Sequence, residues 1–261
     1  MNNFFIGLLF LLIFTSCRNE TSLSIQSAED YLLIANDISC VVPLVINSSK
    51  DPQYLKKLLM KKTDTSNSCA SFNYVAGDTS SMLGLITFEI DFFQGCIDKD
   101  GLNKAGIIKC ELTNSLNIVN AICKVEFDGF RISDDFIWGG VTLENKGLNK
   151  WKVVTEDFLL QSGKESLVFV DTLLFEKKSG ILTSTFRDDE FIFSSKGELN
   201  SNVTGYSHDL RKNYNCSWIS KGILELNIYD QTKQIINFGQ DECDNEAFLQ
   251  IGEDEYLIEM Y

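Results

Sequence analysis

Leu224-Glu225-Leu226-Asn227-Ile228-Tyr229 alternates large apolar side chains with side chains that tolerate water. A strand sends successive side chains to opposite faces, so this stretch buries Leu224, Leu226 and Ile228 on one face of a sheet. Similar short runs occupy 84–92, 106–113, 119–127, 150–160, 166–175, 181–193 and 247–259. Between them stand turn pairs: Asp100-Gly101, Asp128-Gly129, Lys146-Gly147, Ser179-Gly180 and Lys196-Gly197. Short strands with close turns and no long helix between them predict a mainly β protein. The expected architecture is an antiparallel β-sandwich or barrel-like domain over 69–261.

The text before residue 69 is different. Ala28, Tyr31, Leu32, Ala35 and Ile38 recur at helical spacing, with Ser27 placed to cap the first free N–H groups. Asp51-Pro52 opens a second helix, whose Leu55, Leu58 and Leu59 share one face. One or two short N-terminal helices are therefore expected within 27–68. Lys56, Lys57, Lys61 and Lys62 read as a solvated helix face. Residues 17–26 are polar and read as a tether.

The first sixteen residues carry no Lys, Arg, Asp or Glu, and Phe4 to Phe14 is apolar throughout except for Gly7. Eleven residues are too few to cross about 30 Å of hydrocarbon as a helix. They fit the apolar region of a secretory signal, assigned to 1–16. Phe14-Thr15-Ser16-Cys17 resembles the lipobox of bacterial lipoproteins. The resemblance implies cleavage before Cys17 and acylation of its thiol. The expected location is then the bacterial cell envelope, anchored to the outer membrane through the N-terminal lipid.

Two cysteine intervals match. Cys69 and Cys96 are 27 residues apart, and so are Cys216 and Cys243. Ile90-Asp91-Phe92 precedes Cys96 as Ile236-Asn237-Phe238 precedes Cys243. The pattern predicts two related cysteine-bracketed units, 69–96 and 216–243, each closed by a disulfide in an oxidising compartment. Cys110 and Cys123 flank a hairpin turn at 114–119 and are expected to form a third bridge, leaving Cys40 unpaired.

The blocks Ile86-Thr87-Phe88…Gly95-Cys96…Asp100-Gly101…Gly106-Ile107-Ile108 and Ile236-Asn237-Phe238-Gly239…Cys243-Asp244-Asn245 resemble a family of uncharacterised envelope lipoproteins from Bacteroidota. The likeness runs from about 69 to 261. Phe93 and Leu102-Asn103-Lys104 depart from the family pattern at a glycine and at an arginine-containing turn. The resemblance implies location and architecture and carries no activity.

Chemistry is sparse in the sequence. The single histidine, His208, lies in the polar stretch Tyr206-Ser207-His208-Asp209, and neither G-x-S-x-G nor a phosphate-binding glycine loop is present. Asp134-Asp135 and Asp188-Asp189-Glu190 read as solvated turns. Asp241, Glu242, Asp244 and Glu246 fall in one acidic loop and are weak calcium candidates. Trp138, before Gly139-Gly140, and Trp151 are the candidates for a stacking surface toward a glycan or protein partner. A net charge of −14 opposes nucleic acid as a partner. The expectation is a non-catalytic envelope lipoprotein without cofactor. A carbohydrate- or protein-binding surface module is the first alternative and a carboxylate-dependent hydrolase the second.

Overall fold

The computed structural model describes residues 2–61, 67–78, 84–181, 183 and 185–260, with side chains described from Ser22 onward. The cleavage and lipidation expected at 1–16 and Cys17 fall outside those side chains, as does Lys62. Two helices, α1 (Asn2–Ser49) and α2 (Pro52–Lys61), precede the strands. The strands are β1 (Ser71–Gly77), β2 (Ile86–Asp91), β3 (Cys96–Ile97), β4 (Asn103–Leu112), β5 (Ile122–Ile132), β6 (Asp135–Gly147) and β7 (Lys150–Ser162). They continue as β8 (Glu165–Ser179), β9 (Glu190–Leu199), β10 (Val203–Asn213), β11 (Lys221–Ile228), β12 (Gln234–Gln240), β13 (Glu246–Ile251) and β14 (Asp254–Glu259).

All the strands belong to one antiparallel sheet. Each pairs with its neighbour in sequence from β4 to β14, with β1 and β2 before them and β3 beside β4. Alternation is clean in β11, where Leu224, Leu226 and Ile228 are buried. Such a sheet has one apolar face, and α1 is what that face covers. Every residue from Ile34 to Ser49 is buried, whichever side of the helix it occupies. A helix buried all round belongs to the middle of a fold. Tyr31 packs edge-on to Phe169 of β8, and Gln234 of β12 donates to the Ser24 carbonyl. The Asn36 amide donates to the Ser217 carbonyl before β11, and the Ser115 hydroxyl after β4 donates to the Lys50 carbonyl. The sheet therefore wraps the helix in a barrel-like curve.

The curve needs bulges, and the ladders break register within most pairings. One break sits between Trp138 and Gly140. Gly139 lies there at a positive φ of 80°, and a Cβ would come within 2.1 Å of the Asp157 carbonyl oxygen. Gly205 serves the helix instead, because a Cβ on it would fall 2.1 Å from the Tyr31 ring. The sheet approaches the helix that closely.

Three expectations for the N-terminal part need correction. Residues 22–26 are helix rather than tether, and Ser24 is buried. Ser27 does not start a helix: it lies within α1, its hydroxyl donating to the Leu23 carbonyl one turn back. α1 is not a separate segment. Ser22–Ser49 is long and apolar enough to cross a membrane, yet it is enclosed by the strands, with which it forms one core. α2 starts where the proline placed it, and Asp51 accepts from the Gln53 N–H as its cap.

Cys69 is bonded to Cys96 and Cys216 to Cys243. Each bond joins the residues just outside a hairpin: β1–β2 in the first case, β11–β12 in the second. Both hairpins are thus clasped at their open ends. Cys110 and Cys123 are not bridged; both are buried free thiols, as is Cys40. The ladder explains this. Cys110 stands opposite Val125 and Cys123 opposite Leu112, so the two thiols are diagonal, not facing.

Candidate functional site

The interior of the protein holds several charged side chains. Lys104 on β4 donates to Asp98 at 2.9 Å and Asp100 at 2.5 Å, with all three side chains buried. Burial alone would lower the Lys104 ammonium, but Asp100 and Asp98 outweigh it and raise it. Lys212 donates to the Cys40 thiol at 3.1 Å. Asp37, one turn before Cys40, is 2% exposed, and its Oδ2 has no hydrogen-bond partner among the described residues. Burial pushes its carboxyl well above the usual range, and Asp135 adds to the effect. Farther along α1, Lys177 pairs with Asp189 at 2.5 Å, and burial pulls the lysine down. These groups sit inside packed protein, and the contacts of Lys212 with Cys40 and of Lys177 with Asn47 tie the sheet to α1.

An acidic cleft opens beside the middle of α1, at Gln26 to Leu33. It has a volume of about 340 Å³ and is lined by five carboxylates, Glu29, Asp30, Asp134, Asp135 and Glu259. Gln26, Leu33, Ser133, Ser162 and Met260 complete the lining, so among the described residues no cationic side chain lines it. Glu29 and Asp30 come from the helix, Asp134 and Asp135 from the β5–β6 turn, and Glu259 from the end of β14. Desolvation raises the carboxyls of Glu29, Asp30 and Asp135, and neighbouring carboxylates add to it. Such a cleft can receive a cationic group or supply a protonated and an ionised carboxyl side by side. A second cleft, of about 350 Å³, lies at the far end of α1 between Asn47, Lys50, Asp51, Tyr54, Asn117 and Asn149.

The outer face of the sheet carries an aromatic pair. Phe136 and Trp138 are 39% and 44% exposed, and their rings stack at 6.4 Å with an 18° angle. They lie two apart on β6, hence on one face. The row continues across the ladders, Trp138 to Leu159 and Leu159 to Val168. Val168 and Val170 are themselves 49% and 60% exposed. The result is an apolar strip across three strands facing solvent.

Of the stacking candidates, only Trp138 belongs to this strip. Trp151 is buried, and its indole N–H donates to the Leu116 carbonyl, so it is a core residue. The calcium candidates are not assembled. Asp241 accepts from Arg211 at 2.7 Å and from Ser220 at 2.9 Å, and Asp244 accepts from the Glu246 N–H. Among the described residues no group of three or more His, Cys, Asp or Glu side chains converges as metal ligands. His208 is exposed on β10. Asp135 and Asp189, expected in solvated turns, are both buried. The cleft itself was missed. Its only trace in sequence is the pair of acidic doublets, Glu29-Asp30 and Asp134-Asp135, which the fold brings together across more than a hundred residues. Comparison with protein-family models, curated proteins and solved structures finds no match.

Proposed function

We propose that this chain is an exported, lipid-anchored envelope protein that acts by binding rather than catalysis. The pair of disulfides carries the reading: each clasps a hairpin, and such bonds persist where thiols are oxidised. The uncharged apolar leader and the Thr15-Ser16-Cys17 junction supply export and anchor. Labelling cells with radioactive palmitate tests it. The chain takes up label, and Cys17→Ala takes up none; label that survives in Cys17→Ala contradicts the anchor.

The exposed Phe136–Trp138 strip favours a glycan or protein surface as the binding partner, since stacked rings on a flat sheet match the apolar face of a sugar ring. Retention of the protein on insoluble envelope polysaccharide should fall about two- to tenfold in Trp138→Ala, one stacking contact being worth about 0.5–1.5 kcal/mol. Equal retention of both proteins rejects the strip as the site.

The acidic cleft favours a second reading, a carboxylate-dependent hydrolase. Asp135→Asn decides between the two. Glycoside turnover by the native protein that disappears in this variant establishes the hydrolase; identical rates in both proteins exclude it at this cleft.

A further inference from the structure

We infer that the barrel stands on the membrane on the end where α1 enters it, with the acidic cleft turned toward the bilayer and the far end of α1 turned away. The inference rests on the lipid anchor at Cys17 and goes beyond it by naming the surface that meets the membrane. Its first ground is chain length. Ser22 stands only five positions after Cys17, a reach of about 17 Å at full extension and about 8 Å as helix. Its second ground is how firmly the helix is held just beyond. Ser24 is 4% exposed and takes hydrogen bonds at both its hydroxyl and its carbonyl from Gln234, at the start of β12. The lipid thus cannot wander to another face of the protein.

The position of Ser24 names the turns beside it. Gln234 follows the β11–β12 turn at 229–233. Asp30 feels the charge of Glu165, next to the β7–β8 turn, and shares the cleft with Ser133 and Asp134 of the β5–β6 turn. Asn47 and Ser49, near the other end of α1, touch a different set. The Lys177 ammonium donates to Asn47, the Ser115 hydroxyl donates to the Ser49 carbonyl, and Asn117 and Asn149 line the same cleft as Asn47. Ser24 and Ser49 are 25 residues apart, about 37 Å along a helix axis. That exceeds the reach of the five-residue connection twice over.

The facing surface is acidic, so attraction to anionic headgroups does not hold it there. The covalent lipid does. Carboxylates of the cleft then occupy the narrow aqueous layer between protein and bilayer, where a cationic group has first access to them.

The test uses the full acylated protein, reconstituted into phosphatidylethanolamine–phosphatidylglycerol vesicles that carry a nitroxide on the lipid headgroup. A fluorophore is placed at Lys164→Cys or Gln231→Cys near the entry of α1, and at Leu148→Cys or Asn117→Cys near its far end. All four positions are exposed, and the native free thiols are buried. Co-flotation with vesicles and the acyl mass are read on the same samples. Floating protein with strong quenching at 164 and 231 and little at 148 and 117 is the expected result. Floating, acylated protein with equal quenching at all four sites, or with the reverse order, overturns the orientation and leaves the anchor standing. Unacylated protein that stays in solution overturns the anchor and the orientation together.

Discussion

Asp171 shows how a single buried carboxyl sets a pH dependence. It is 3% exposed, and burial raises it to about 7 even though it accepts from the Lys196 N–H. A carboxyl raised in the folded state favours folding below its unfolded value near 4, and that contribution is lost as pH rises toward 7. Asp171→Asn keeps an acceptor and removes the charge. It should stabilise the protein by about 2–4 kcal/mol at pH 8 and change little at pH 4, read from urea midpoints. Glu29, Asp30 and Asp135 are shifted in the same direction and add to the loss with rising pH. The thiols give a second residue-scale prediction. Burial pushes Cys40 and Cys110 up, and all three free thiols are enclosed. Native protein should resist alkylation at Cys40, Cys110 and Cys123, and denatured protein should take up reagent at all three by mass. Spacing revealed the 27-residue pairs because each bridge closes a hairpin whose length fixes the interval. It misassigned Cys110 and Cys123 because a hairpin's register is set by its loop, and a shift of two residues turns a facing pair into a diagonal one.

At the scale of elements, α1 and the sheet approach so closely at Gly205 that no methyl group fits between them. Gly205→Ala drives a methyl into the Tyr31 ring, and overpacking of that kind costs about 1–3 kcal/mol. Combined with Tyr31→Ala, the glycine substitution should cost much less, because the ring it strikes is gone. A double-mutant cycle on chemical denaturation reads that coupling, and strict additivity would refute the contact. The strands were legible because alternation is a local signal: Leu224, Leu226 and Ile228 are buried as their period demands. The helix was legible as a helix but not as the core. Asn36, Asp37, Ser39 and Asn47 interrupt its apolar text, yet each is buried beneath the sheet. Partners far away in sequence satisfy some of them, as the Ser217 carbonyl does for Asn36. No window on the helix alone contains that information. The acidic cleft was hidden for the same reason.

At the scale of the whole molecule, the sheet curves around α1, which runs on in sequence from the apolar stretch Phe4 to Phe14. The two bridges restrain the unfolded chain by about 3.5 kcal/mol each in the loop-entropy treatment, a large share of the 5–15 kcal/mol typical of a folded protein. Export, anchoring and disulfide closure are therefore read together in one mass. Intact-mass spectrometry of the protein extracted in detergent from its native membranes, without reductant, measures it directly. The account predicts a chain of residues 17–261 carrying the acyl groups on Cys17 and lacking the four hydrogens lost to the two bridges. A mass that begins elsewhere without acyl groups, or that retains all seven remaining thiols, would contradict it.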